Sequence, residues 1–292
     1  MFTGSIVALI TPMNEHGQID YETLKSLVDW HLECGTNAIV AMGTTAESCT
    51  LTQSEHISVV KTIAEQVAGK VPVIAGNGLN STQQSIELTQ ALDQLPIDGF
   101  LTVTPYYNKP TQKGLQLHFE AIANSTVKPI LLYNVPGRTA CDLLPETVAA
   151  LSHIDNIVGI KEATGDKSRV SQLQSLINTP FTLLSGDDET ALEFTKLGGH
   201  GVISVTANVM PAEMAAIYQS ALNGDFSQAE ALNEKLERLH NALFIEPNPV
   251  PVKWALKKLN RIPSDQVRLP LLKMESSHQT IVIEAMESAQ VI

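Results

Sequence analysis

What constrains this chain most is a series of eight short, almost unbroken apolar runs. They begin near Ser5, Ala38, Val71, Gly99, Pro129, Ile157, Phe181 and Gly201, at intervals of 33, 33, 28, 30, 28, 24 and 20 residues. A strand apolar at consecutive positions has to be covered on both faces, which requires a parallel sheet under helices, and each interval is the length of one strand–helix unit. The segments between the runs carry helical periodicity. Leu24, Leu27, Val28, His31 and Leu32 follow i, i+3, i+4, i+7 and i+8, with Gly35 placed to close the helix. Thr52-Gln-Ser-Glu55 reads as a capping box, Pro145-Glu146 opens a helix after Leu144, and Gly198-Gly199 ends one that begins near Asp188.

Eight alternations with no GxGxxG turn after any strand favour a (β/α)8 barrel over a doubly wound sheet. The barrel is expected to close near residue 206, with its last helix over about Pro211 to Asn223. The division is therefore a barrel over 1–224 and a helical extension over 225–292. That extension reads as helices from Phe226 to Leu243, Val250 to Leu259 and Ser276 to Ala289, the first two separated by the stiff Glu246-Pro-Asn-Pro-Val-Pro251.

The formal net charge of -12 argues against a nucleic-acid or anionic-membrane surface. Three cysteines without paired spacing point to a reducing compartment, with Cys49 and Cys141 read as small buried residues. The opening residues lack a basic n-region, and their apolar run is too short for a signal or a membrane span, so a cytoplasmic protein is expected.

In a barrel of this kind, chemistry collects where the strands end. The stretch Ile157-Val-Gly-Ile-Lys161-Glu162 delivers a single lysine to that rim. A desolvated amine tends to lose its proton and become nucleophilic; the alternative is a strand that simply ends, with its lysine in solvent. The other strand ends bring Thr44, Thr45, Tyr106, Tyr107, Tyr133, Arg138, Asp187 and Asp188. No His-x-His or HExxH occurs, and no cofactor motif, so neither a metal nor a cofactor is called for and the protein supplies its own electron sink. A lysine condensing with a ketone does this: the protonated imine acidifies the neighbouring C–H and yields an enamine. Tyr133 and Thr44, extended by Tyr107, are the hydroxyls suited to move the protons without adding fixed charge. A packing tyrosine or a turn threonine is the alternative at each. Arg138 can grip a carboxylate bidentately, or stand as a surface-loop arginine. Asp187 and Asp188 read as caps of the following helix, while Glu47 and Glu162 are suited to holding loop amides or hydroxyls.

Taken together, Gly43-Thr44-Thr45-x-Glu47-Ser48, Tyr106-Tyr107-Asn108-x-Pro110, Tyr133-Asn134-x-Pro136-x-Arg138-Thr139 and Gly159-Ile160-Lys161-Glu162-Ala163 resemble the dihydrodipicolinate synthase family. The likeness continues through Ser185-Gly-Asp-Asp188 and Glu246-Pro-Asn-Pro. It implies a homotetrameric barrel enzyme of lysine and diaminopimelate synthesis that condenses pyruvate with aspartate-4-semialdehyde. By the same resemblance, Lys161 forms the Schiff base, and Tyr133, Thr44 and Tyr107 make the proton relay, Tyr107 reaching into a neighbouring subunit. Thr45 holds the pyruvate carboxylate, Arg138 holds the semialdehyde, and Gly186 and Ile203 line the pocket.

Two departures from the family pattern matter. Ala46 replaces a glycine after the paired threonines, a strain on the order of 1 kcal/mol if that position needs positive φ. Ser48, His56, Asn80 and Tyr106 match a lysine feedback pocket found in some members, but Gln53 and Gln84 replace its histidine and glutamate. The rival readings are a pyruvate-releasing aldolase such as N-acetylneuraminate lyase or a keto-sugar-acid aldolase, and a catalytically silent ligand-binding barrel.

Overall fold

The computed structural model describes residues 2–292. Its strands are β1 (Gly4–Ala8), β2 (Ala38–Ala41), β3 (Val73–Gly76), β4 (Gly99–Val103), β5 (Ile130–Asn134), β6 (Ile157–Glu162), β7 (Thr182–Ser185) and β8 (Gly201–Ser204). They pair in chain order as a closed parallel barrel, with β8 returning to β1 through Ile6 opposite Ile203. Each begins within two residues of its expected start.

The barrel explains why the runs are apolar at every position. Alternate residues divide between two separate apolar clusters. Ile6, Ala8, Val40, Leu131, Tyr133, Leu184 and Ile203 pack in the barrel interior. Val7, Ile39, Leu132, Ile160, Leu183 and Val202, one position out of step, pack outward under the helices. This parity decides where functional side chains go. Ile160 faces the helices, so its neighbour Lys161 faces the interior, and Glu162 faces out again.

The helices follow their local signals. Tyr21–Glu33 is capped by Asp20 and followed by Gly35 at φ 81°, and Gln53–Val67 carries the full Thr52/Glu55 capping box. Pro145–Leu151 and Pro211–Leu222 start at their prolines, as expected. In the extension, the first helix tightens into a 3-10 turn at Glu234–Leu236, dividing Phe226–Asn233 from Glu237–Ala242. Val250–Lys258 and Ser276–Ser288 complete it.

The extension is packed into the barrel's outer apolar cluster through Leu236, Leu239, Val252, Leu256, Val282 and Met286. It is also tied by charge. Lys253 and Glu47 form an ion pair at 2.7 Å with both side chains fully buried. Removing one partner of such a pair strands the other charge, typically at a cost of about 3–5 kcal/mol.

Two expectations are corrected. Asp187 and Asp188 do not cap a helix: the helix is Ala191–Lys196, and its N-cap is Thr190. Asp188 is buried, its Oδ2 accepting from Val205 N at 2.8 Å and Thr206 N at 3.0 Å, while Asp187 Oδ2 accepts from Thr190 Oγ1. Asp188 finds its donors across the loop, and Asp187 bonds the hydroxyl of the N-cap residue instead of capping the helix itself. Cys49 is exposed, not buried, because the 3-10 turn Ser48–Thr50 turns it away from the core.

Candidate active site

Lys161 and Tyr133 sit opposite each other in the β5–β6 register. Lys161 is only 6% exposed, and its Nζ lies 4.4 Å from the centroid of the Tyr133 ring. Among the described residues no carboxylate stands within salt-bridge distance of that amine. A buried lysine held for structure would be paired. This one faces the electron-rich surface of a phenol and the space above it.

Room for the lysine is made by Gly186, at the end of β7. A Cβ there would stand 2.6 Å from Lys161 Cε and 2.7 Å from Ala163 Cβ, closer than packed carbons approach. Ile203, 1% exposed on β8, packs in the same interior cluster as Tyr133.

The strand ends beneath the site are fastened from outside. Asn134 Nδ2 donates to Glu162 Oε2 at 3.1 Å and Asp142 Oδ1 at 2.8 Å, while its Oδ1 accepts from Leu143 N. Glu162 also accepts from the Thr164 amide, and burial pushes its carboxyl pKa up. Because Asn134 and Glu162 follow Tyr133 and Lys161 directly, this lattice fixes the two strand ends that carry them.

Above Tyr133 opens a cavity of about 260 Å³ whose wall includes Thr44, Tyr133, Arg138, Ser48, Cys49, His56 and Tyr106. Lys161, Thr45, Gly186 and Ile203 do not line this cavity, whereas Tyr133 both lines it and covers the amine. Arg138 is exposed at the rim, on the short helix Pro136–Thr139, and makes no salt bridge among the described residues. Its guanidinium is therefore available to an incoming anion.

Thr44 and Thr45 belong to the 3-10 turn Thr44–Ala46 that follows β2. Positive φ falls on Met42 and Glu47, each at 59°, and not on Ala46, which avoids the strain. It is buried, and its carbonyl accepts from Thr11 Oγ1 at 2.8 Å. Glu47 holds the Arg268 amide at 2.9 Å besides pairing with Lys253.

Tyr107 is placed apart. It is 89% exposed with φ 76° and takes no part in the cavity of its own chain. Of the four residues matching the feedback pocket, Ser48, His56 and Tyr106 line the cavity, whereas Asn80 stands beside it and accepts from Asn108 Nδ2 through its carbonyl. His56 Nε2 lies 2.8 Å from the Gly76 carbonyl, and burial brings its pKa down to about 4, so it is neutral at pH 7 and donates that hydrogen bond. Gln53 and Gln84 are exposed and lie off the wall.

Sequence reasoning gave no role to Asn248 or Lys253. Asn248 Nδ2 donates to Thr45 Oγ1 at 2.9 Å from the extension. The Glu246-Pro-Asn-Pro motif was the only signal that pointed there.

Residues 1–289 match the Dihydrodipicolinate synthetase family model. The chain is 54% identical over 289 residues to the 4-hydroxy-tetrahydrodipicolinate synthase of Buchnera aphidicola (subsp. Acyrthosiphon pisum, strain 5A), covering 99% of this chain and 98% of the relative. It is 53% identical to the Escherichia coli O139:H28 enzyme of the same name, covering 99% of each. Its backbone matches the crystal structure of the chloride-inhibited dihydrodipicolinate synthase from Acinetobacter baumannii complexed with pyruvate, at a TM-score of 0.98, with 48% identity and full coverage of both chains.

Proposed function

The chain belongs to the dihydrodipicolinate synthetase family, and we propose that it makes 4-hydroxy-tetrahydrodipicolinate through an imine on Lys161. The enzyme is a lyase that condenses pyruvate with L-aspartate-4-semialdehyde in lysine and diaminopimelate synthesis. The observation that carries the residue assignment is a buried amine without a counter-charge, lying under the Tyr133 ring at the mouth of the barrel.

The Lys161 amine attacks the pyruvate carbonyl carbon. The carbinolamine loses water, and the protonated imine draws electrons from the adjacent methyl group, which gives up a proton to form the enamine. That carbon attacks the aldehyde of the second substrate. The second substrate's own amine then adds to the imine carbon and displaces Lys161, closing the ring and freeing the enzyme. Tyr133 passes protons at the amine, together with Thr44, which also lines the cavity. Thr45 holds the pyruvate carboxylate and Arg138 the semialdehyde. Gly186 and Ile203 shape the floor.

Tyr107 completes the relay in a neighbouring subunit of a homotetramer. Its exposure and left-handed backbone support this, since a tyrosine held at positive φ costs on the order of 1–3 kcal/mol and needs a reason to stay there. Residues 1–224 carry the chemistry and 225–292 the support. Among the described residues no helix is long and apolar enough to cross a membrane, and the proposed location is the cytoplasm.

Steady-state turnover tests the reading. Aspartate semialdehyde with pyruvate should be consumed, while N-acetylneuraminate and keto-sugar acids should release no pyruvate; efficient cleavage of either would reverse the assignment. Gly186→Ala should drive a methyl group into Lys161 Cε and lower kcat by roughly 10²-fold, the effect of misplacing a reacting atom by about 1 Å. Retained activity in that variant would mean that the lysine does not react from this position.

Inhibition by lysine is expected to be weak or absent. Gln84 stands where the feedback pocket has a glutamate, and the missing charge-assisted bond to an ammonium is worth about 1.5–3 kcal/mol. Sub-millimolar half-inhibition of the purified enzyme would overturn this.

A further inference from the structure

The catalytic loop after β2 is held from the helical extension as well as by Thr11 of the barrel. Glu47 accepts from Lys253 Nζ at 2.7 Å and from Arg268 N at 2.9 Å. The Arg268 guanidinium donates to the Thr50 carbonyl at 3.1 Å and to both oxygens of Glu55, at 2.6 and 2.9 Å, and holds that carboxyl down to a pKa of about 2. These bonds fix where the segment around Asn248 sits against the loop. Asn248 is 6% exposed and Thr45 2%, and the single side-chain bond between them runs from Asn248 Nδ2 to Thr45 Oγ1. The other end of that amide, Oδ1, is buried without a partner.

A hydroxyl that accepts from an amide keeps its own proton for another acceptor. Thr45 makes no other side-chain hydrogen bond among the described residues. From this we propose that Asn248 is a positioning residue for pyruvate: by occupying an Oγ1 lone pair of Thr45, it turns the hydroxyl proton toward the substrate carboxylate. Asn248 touches no reacting atom and acts through Thr45. The inference rests on the reading that Thr45 holds that carboxylate, and it makes the extension part of the pyruvate site.

The test compares Thr45→Val, Asn248→Ala, Asn248→Asp and the Thr45→Val/Asn248→Ala double variant in the full-length enzyme. KM for each substrate and kcat are measured, along with borohydride trapping of Lys161 titrated against pyruvate. Asn248→Ala should raise KM for pyruvate roughly tenfold, with kcat and the semialdehyde KM within about twofold, because a hydrogen bond to a charged group is lost from pyruvate alone. Asn248→Asp should be worse, since a carboxylate at that position takes the Thr45 proton and repels the substrate. In the Thr45→Val background, Asn248→Ala should add nothing, as expected for two residues acting as one unit.

An unchanged pyruvate KM in folded Asn248→Ala overturns the proposal. So does Asn248→Asp behaving like the parent enzyme, which would mean that the hydroxyl donates to residue 248. A full additional loss from Asn248→Ala on top of Thr45→Val overturns it as well. An unchanged pyruvate KM in Thr45→Val instead removes the underlying reading of Thr45, and the inference falls with it. Should Asn248→Ala not fold, Asn248→Asp, which keeps the shape of the side chain, carries the comparison.

Discussion

Lys161→Met should abolish synthesis, lowering kcat by on the order of 10³-fold or more, as removal of a covalent nucleophile does elsewhere. Methionine matches the lysine stem in length and fits the space beside Gly186, so packing is conserved while the amine is lost. The same substitution should leave the melting temperature unchanged or raise it. An amine that is 6% exposed with no carboxylate partner is a polar group held out of water for function, and replacing it with a thioether removes the desolvation cost. Borohydride with pyruvate should add a pyruvate-derived mass to the parent enzyme on Lys161 and none to the variant. A variant retaining a tenth of the activity, or a parent adduct mapped to another lysine, would remove Lys161 from its role.

Tyr133→Phe should lower kcat by about 10²–10⁴-fold, the range for losing a positioned proton-transfer group, with little change in stability. The ring packs in the barrel interior and covers the lysine at 4.4 Å, and phenylalanine keeps both contacts. Among the described residues the Tyr133 hydroxyl makes no hydrogen bond to the protein, so its removal leaves no buried group unsatisfied. Single-turnover trapping should show the imine forming slowly but reaching completion at long times. Equal rates of trapping in the two proteins would place the proton transfers elsewhere.

The barrel was legible because a parallel strand needs apolar cover on both sides, and that demand writes itself into consecutive residues. The inward course of Lys161 was not, because a run apolar at every position does not say which parity faces in; the two packed clusters decide it, with Ile160 outside and Tyr133 inside. Helix limits marked by a capping box or a proline, as at Thr52 and Pro145, followed from bonds closed within a few residues. Asp188 looked like such a cap and is not: its Oδ2 accepts from two amides of the β8 loop, 17 and 18 positions away. A short-range pattern and a loop-to-loop bond look alike in the chain.

The sequence by itself determined the eight-stranded closure and the strand end that carries the lysine, because each depends on periodicity or on covalent neighbours. Only the tertiary structure decided that Thr45 meets Asn248 and Glu47 meets Lys253, 203 and 206 positions along the chain. It also decided that Glu47, not Ala46, takes the left-handed conformation, and that Tyr107 turns out of its own cavity. Single polar contacts across such distances leave no repeat in the sequence. They exist only once the core has packed and brought the extension against the loop.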